Sequence, residues 1–162
     1  MSSLKASLTT NYSCYGACYN KIASHIIATT RNDHLLSYSL DSLSQAADPL
    51  DISPTKKVHH RNFVNRFVTP FTAQPHAKFE SNFLIGSSNY PREVKTIFFF
   101  DLRNFCCVRI QITIIDENCQ TKSSLRSENL NSLPVINVAH RTLPIIVGGN
   151  SSGRIHVFTG QI

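Results

Sequence analysis

The chain has 162 residues, 41% of them hydrophobic and 16% charged, which is typical of one globular domain with a core. This composition excludes a disordered chain, and no apolar run approaches the roughly 18 residues of a membrane span. The net charge of +6 attracts polyanions, of which nucleic acid is the commonest. Residues 1–20 are polar and hold no apolar signal segment, so we expect a protein of the cytosol or nucleus, where thiols stay reduced.

One arrangement of short strands occurs three times along the chain. In each copy, a run rich in β-branched or aromatic residues leads through a small polar turn into a second run. The paired runs are residues 25–30 and 35–40, 83–88 and 94–101, and 144–149 and 154–158. Aligned on Thr30, Gly86 and Gly148, the copies lie 56 and 62 residues apart, whereas a WD repeat has roughly 40–45 residues. We therefore expect long connecting loops.

Further strand candidates complete each copy. Inner strands are predicted at residues 13–19, 67–73 and 135–139, and outer strands at 56–60 and 105–115. Residues rich in Pro, Ser, Asn and Lys predict loops at 41–55 and 117–132. A four-stranded unit repeated three times favours an all-β propeller, with an ordinary β-sandwich as the alternative.

Three blades cannot close a ring, so the sequence predicts an incomplete propeller and a fragment or isoform of a larger protein. The predicted division is a tail at 1–12, blades at 13–60 and 61–116, a loop at 117–132, and an incomplete last blade at 133–162.

Two segments carry a family resemblance. They are Arg66-Phe-Val-Thr-Pro-Phe71 and residues 148–158, where a Gly-Asn-Ser-Ser-Gly stretch suits the positive-φ positions of a tight turn and Phe158 stands where Trp is usual. Together with residues 83–94, they resemble the C-terminal part of the WD repeat protein 76 family, relatives of the yeast WD-repeat protein that binds UV-damaged DNA. The resemblance covers roughly residues 17–159 with gaps. It implies about three C-terminal blades of a seven-bladed ring and a nuclear role in the DNA damage response.

The first candidate site is a loop with basic and aromatic residues. Carried over from the damage-binding relatives, the hairpin that enters the duplex falls on Asn65, Arg66 and Phe67. An aromatic wedge gains from the base stack, and Arg pairs with a phosphate or a base edge. Additional positive charge is expected nearby at Arg31, Lys56, Lys57, Arg61 and Arg92. Two alternatives stay open: Phe67 packs between blades, or Arg66 holds a loop carboxylate.

The second candidate site is Phe100-Asp-Leu-Arg103, on the face expected to lie opposite the Arg66 loop. It resembles the Trp-Asp-x-Arg box by which WD-repeat substrate receptors dock onto the adaptor of cullin-4 ubiquitin ligases. Carried over, Asp101 fixes the turn after the strand and Arg103 reaches the adaptor. The alternative is that Asp101 only forms the turn and Arg103 is a solvated charge.

No pattern indicates catalysis, a cofactor, a metal or a small-molecule substrate. There is no phosphate-binding loop, nucleophile elbow or carboxylate pair, and His59 and His60 would face opposite sides of a strand. The five cysteines form no zinc pattern and are predicted to be small buried residues.

The sequence therefore predicts a binding scaffold and no enzyme. Three hypotheses remain: a nuclear protein that binds DNA or chromatin, a protein-interaction scaffold or cullin-4 substrate receptor without DNA contact, and a nonfunctional truncation product.

Overall fold

Short runs of β-branched residues fold into antiparallel sheets, which confirms the predicted all-β class. The structure is a computed structural model that describes residues 10–45, 52–61, 70–89, 109–130, 133–150 and 152–160. Within these residues there are three sheets, of four, four and three strands, and one helix of six residues. No helix among them is long and apolar enough to cross a membrane.

The first sheet follows chain order from β1 to β4. Its strands are β1 (Cys14–Tyr19), β2 (His25–Thr30), β3 (His34–Ser39) and β4 (Lys56–His59). The short helix α1 (Leu40–Gln45) lies in a segment predicted to be a loop. The predicted β2–β3 hairpin is confirmed, and its turn ends at Asp33 with φ of 62°, a left-handed value that Asp tolerates better than most residues.

The second sheet corrects the prediction at three places. Its strands are β5 (Gln74–Pro75), β6 (Phe83–Asn89), β7 (Arg109–Ile115) and β8 (Thr121–Leu125). The prediction of an outer strand at 105–115 was wrong, because β7 pairs with β6 and occupies the third place. The fourth place belongs to β8, inside the predicted loop at 117–132. The inner strand was predicted at 67–73, but residues 70–73 form no strand and β5 begins at Gln74.

The correction also applies to the repeat alignment. The run at 94–101 was paired with 83–88, whereas the hydrogen-bonded partner of β6 is β7. Residues 94–101 lie outside the described residues, as do Cys106 and Cys107.

The third sheet has the strands β9 (Pro134–Ala139), β10 (Ile145–Asn150) and β11 (Ile155–Thr159). Asn150 organises the β10–β11 turn, since its Oδ1 accepts hydrogen bonds from the amides of Ser152, at 3.2 Å, and Arg154, at 3.0 Å. Gly153 has φ of 75°, which confirms the predicted positive-φ glycine in this turn.

The sheets pack face to face in chain order. Ile27 and Leu35 of the first sheet share a core with Phe83 and Ile85 of the second. The other face of the second sheet packs on the third through a cluster that includes Leu84, Ile112, Ala139 and Ile146. Three sheets stacked in this way are arranged like successive blades.

Contacts between turns show that the sheets share one orientation. The amide of Lys21, in the β1–β2 turn, donates to the carbonyl of Glu80, in the β5–β6 connection, at 3.2 Å. The Oγ of Ser37, in β3, donates to the carbonyl of Glu117, in the β7–β8 turn. The β9–β10 turn, at Leu143 and Pro144, lines a small pocket together with the β5–β6 connection. The β1–β2, β3–β4, β5–β6, β7–β8 and β9–β10 connections thus lie at one end of the stack, called here the Lys21 end. The β2–β3, β4–β5, β6–β7, β8–β9 and β10–β11 connections leave at the other, the Arg31 end.

Candidate nucleic-acid interface

Arg31 lies at the tip of the first sheet. It is exposed, and its backbone amide donates to the carbonyl of Ser13 at 2.8 Å, which ties the β2–β3 turn to the start of β1. Within the same turn, the Oγ1 of Thr30 lies 2.6 Å from the Oδ1 of Asn32 and 2.9 Å from the carbonyl oxygen of His34, and its one hydrogen is shared between these two acceptors. These bonds hold the turn, so the Arg31 side chain projects from a fixed backbone.

Arg61 lies at the same end of the first sheet, on the connection that follows β4. The chain leaves β4 at His59 and turns over the β2–β3 hairpin, where the amide of His60 donates to the carbonyl of Asp33 at 2.9 Å. The His34 and His59 rings meet edge to face with centroids 5.8 Å apart, which braces the pairing of β3 with β4. Arg61 follows directly and is half-buried. The fold therefore brings two arginines, 30 positions apart in the sequence, to one end of one sheet.

Sequence reasoning missed two further arginines at this end. Arg126 follows β8 and is exposed, and its Nε donates to the Oε1 of buried Gln111 at 2.7 Å. Arg154 is exposed in the β10–β11 turn that Asn150 organises. Repeat analysis would have found Arg154, because its turn corresponds to the turn of Arg31. No sequence pattern placed Arg126 at a strand end, because β8 was not recognised as a strand.

The type of basic side chain differs between the two ends among the residues that the structure describes. The Arg31 end carries four basic side chains, Arg31, Arg61, Arg126 and Arg154, and two acidic ones, Asp33 and Glu128. The Lys21 end carries Lys21, Lys78, Lys122 and Arg141 against Asp41, Glu80, Asp116 and Glu117, and Lys56 and Lys57 begin β4 at this end. The basic side chains at the Arg31 end are thus all arginines, whereas those at the Lys21 end are mostly lysines.

Lys56 and Lys57 do not lie with these arginines. They pair with Ser37 and Leu36 within the sheet, on the edge strand β4, and both are exposed. Lys57 lines a cavity against the outer face of the first sheet. The two lysines begin β4, so they lie on the edge of the sheet towards the Lys21 end, away from the tip that carries Arg31.

The remaining predicted site residues lie outside the described residues. These are Asn65, Arg66, Phe67 and Arg92 of the DNA-binding prediction and Asp101 and Arg103 of the partner-binding prediction. The strands next to these undescribed segments end at the Arg31 end. The strand β4 ends there before residues 62–69, and the β6–β7 ladder ends there at Asn89 and Arg109, on either side of residues 90–108.

The cysteines that the structure describes differ in exposure. Cys119 is buried, and burial raises its pKa to about 12. Cys18 is half-buried, its Sγ donates to the carbonyl of Ala73 at 3.2 Å, and burial raises its pKa to about 12. Cys14 is exposed, so the prediction of burial was wrong for it. No group of three or more His, Cys, Asp or Glu side chains that could hold a metal occurs in the described part of the chain.

Comparisons with known proteins decide the family. No family model matches the chain. WD repeat-containing protein 76 of Xenopus laevis is 34% identical over 134 residues, which is 82% of this chain and 19% of the relative. The protein of the same name in Rhinolophus ferrumequinum is 31% identical over 142 residues, 88% of this chain and 19% of the relative. The chain belongs to the WD repeat protein 76 family.

The mouse protein of that name is 31% identical over 104 residues, 64% of this chain and 14% of its own length. Among solved structures, the Cps50 (Swd1) β-propeller domain of Myceliophteria thermophila covers 93% of this chain and 55% of its own, with 10% identity and a TM-score of 0.34. The chain thus spans about a fifth of the length of the WD repeat protein 76 relatives from Xenopus and Rhinolophus. Its three sheets are blades of an incomplete WD-repeat propeller, and the family is one of scaffold-like WD-repeat proteins.

Proposed function

We propose that this member of the WD repeat protein 76 family binds DNA or chromatin in the nucleus through the Arg31 end, as a scaffold without catalysis. The observation that carries the proposal is the convergence of Arg31 and Arg61 on one sheet tip. Arginine side chains beside backbone that hydrogen bonds hold in place suit contact with successive backbone phosphates.

The type of basic side chain at the Arg31 end supports the proposal as well. A net charge of +6 attracts polyanions in general, and the described basic side chains at the Arg31 end are all arginines, whose planar guanidinium group suits bidentate contact with phosphate. Binding of this kind derives from release of counterions by the phosphates, so it is only modestly specific and depends strongly on salt. The predicted contacts of Asn65, Arg66 and Phe67 would add to this surface and stay predictions.

The test is a salt titration of binding to a fluorescent DNA duplex, measured by anisotropy. For the wild-type chain, affinity should fall linearly on a double-logarithmic plot of binding constant against salt. The double variant Arg31→Ala/Arg61→Ala should lower the slope by about 1.8, since each lost phosphate contact contributes about 0.9.

A matched control removes the same charge from the other end. Lys21→Ala/Arg141→Ala takes away two exposed cations at the Lys21 end and should leave the slope within error of the wild type. An affinity that is flat from low to moderate salt, or an equal change of slope in both double variants, would refute the proposal.

The alternative is a substrate receptor of a cullin-4 ubiquitin ligase that does not contact DNA. It depends on Asp101 and Arg103 and stays a prediction. Recovery of the ligase adaptor in the presence of nuclease, with loss of recovery in Arg103→Ala, would favour it over DNA binding.

A further inference from the structure

A buried glutamine lies in β7 of the second sheet, close to the Arg31 end. Gln111 is 7% exposed and stands among isoleucine and threonine residues of this strand. Its Nε2 donates to the Oγ1 of Thr113 at 3.1 Å, and its Oε1 accepts from the Nε of Arg126 at 2.7 Å. Burial of an amide is unfavourable unless its polar atoms are hydrogen-bonded. Arg126 therefore supplies the partner that the buried Oε1 requires.

The register of β7 shows which way Gln111 faces. Gln111 lies four residues before Ile115, and the pairing of β6 with β7 is unbroken between them, so both side chains are on the same face of the sheet. Ile115 belongs to the core that the second sheet shares with the first. The hydrogen bond to Gln111 thus places the guanidinium of Arg126 on the side of the first sheet. Arg61 follows β4, the corresponding fourth strand of that sheet.

The hydrogen bond at Arg126 holds the guanidinium itself. At Arg31 and Arg154 the hydrogen bonds are donated by the backbone amides, so they fix the backbone and not the side chain. With the Nε of Arg126 bonded to Gln111, the two Nη groups carry the other N–H donors and form the end of the fork that fits a phosphate. Arg126 is exposed, and no carboxylate of the described residues forms an ion pair with it.

We infer that Gln111 is a positioning residue, which holds Arg126 so that its two Nη groups contact a phosphate of DNA at the Arg31 end. This role rests on the proposed function and adds one oriented contact to it. An arginine that is held in place before DNA binds loses less rotamer freedom on binding than a mobile one of the same charge. The charge of Arg126 thus contributes to the salt dependence of binding, whereas Gln111 contributes to the affinity alone.

Binding of a fluorescent DNA duplex, measured by anisotropy, separates these two effects. Arg126→Ala removes one phosphate contact and should lower the salt slope by about 0.9. Gln111→Met keeps the length of the side chain and the charge of Arg126 but removes the hydrogen-bond acceptor. Its salt slope should equal that of the wild type, while its affinity at each salt concentration should fall by about threefold to tenfold.

A double-mutant cycle separates positioning from a purely structural role. In the Arg126→Ala background, Gln111→Met should leave the DNA affinity unchanged, because the side chain that it positions is absent. A purely structural role would lower the affinity in both backgrounds. Gln74→Met is the matched control, since Gln74 is half-buried and its Nε2 donates to the Oγ1 of Thr72 at 3.3 Å, and it should bind DNA like the wild type. Circular dichroism of each variant shows whether the sheets are retained.

A measurement without DNA tests the hydrogen bond itself. In heteronuclear NMR spectra, the Nε–H proton of Arg126 should exchange slowly with water in the wild type and in Gln74→Met, and rapidly in Gln111→Met. Rapid exchange in the wild type, or equal losses of affinity on Gln111→Met in both backgrounds, would overturn the inference.

The same titrations distinguish failure of this inference from failure of the proposed function. If Gln111→Met binds as tightly as the wild type while the wild type keeps its salt-dependent affinity, the positioning role is wrong and DNA binding stands. If the wild type shows no salt-dependent binding, the proposed function is refuted and the positioning role with it.

Discussion

Substitution of Gly86 by alanine is expected to destabilise the protein more than any other glycine-to-alanine change in the strands. Gly86 lies in β6, where the second sheet approaches the third. A Cβ at this position would lie 2.1 Å from the carbonyl oxygen of Pro134 and 2.7 Å from ring carbons of buried Phe71. Neither neighbour is the flexible end of a side chain, so the two sheets would have to separate locally.

The magnitude follows from this crowding. Added volume in a well-packed core costs typically 1–3 kcal/mol, and the contact with a backbone oxygen puts Gly86→Ala at about 3 kcal/mol. For a chain of this size that corresponds to a fall in Tm of about 6–12 °C.

Two other glycines supply a graded comparison. At Gly148 a Cβ would meet the movable Cδ1 of Ile112 at 2.8 Å, so Gly148→Ala should cost about 1–2 kcal/mol. At Gly149 nothing lies within 4 Å, so Gly149→Ala should be neutral or stabilising by up to about 1 kcal/mol.

The assay is urea unfolding followed by circular dichroism. If Gly86→Ala were as stable as Gly149→Ala, the packing of the second sheet on the third would not be as described.

Two predictions concern pH. Burial alone would raise the pKa of Asp116, but hydrogen bonds from backbone amides and from Lys122, 3.1 Å away, lower it below its ordinary value. The stabilisation is therefore present above about pH 4 and lost as the pH falls further; Asp116→Asn should cost about 1–2 kcal/mol at pH 7 and flatten the acid side of the stability curve. Burial and then the charge of Lys78 lower the pKa of His76, whose Nδ1 accepts hydrogen bonds from the amides of Lys78 and Phe79. The contribution of His76 to the free energy of unfolding is therefore fully present above about pH 6.5 and decreases below it. His76→Asn, which keeps a hydrogen-bond acceptor, should reduce this pH dependence in denaturant titrations. An unchanged stability curve in the Asp116 or the His76 variant would contradict the assignment.

Local patterns predicted the hairpins whose two strands lie close in the sequence. Residues 25–30 and 35–40 combine β-branched strands with a three-residue polar turn, and the structure has β2 and β3 there. The predicted strand pairing of the second sheet was wrong because the repeat alignment assumed a short turn after β6. In the structure 19 residues, 90–108, separate β6 from β7. The strand β8, Thr-Lys-Ser-Ser-Leu, was missed because it is polar and largely exposed. An outer strand of this kind forms through its hydrogen bonds to β7 and not through burial of its own side chains.

The sequence by itself determined the all-β class, the family, the left-handed turn at Gly153 and a basic chain, because each depends on residues that are near neighbours or on composition. Only the tertiary structure decided which basic side chains meet and which apolar strand residues are buried. Arg31, Arg61, Arg126 and Arg154 meet at one end because three sheets stack in one orientation, and no spacing in the chain encodes that stacking. Leu35 and Ile155 occupy equivalent positions, yet one is buried and the other exposed, since the burial of a strand depends on the sheet that packs against it.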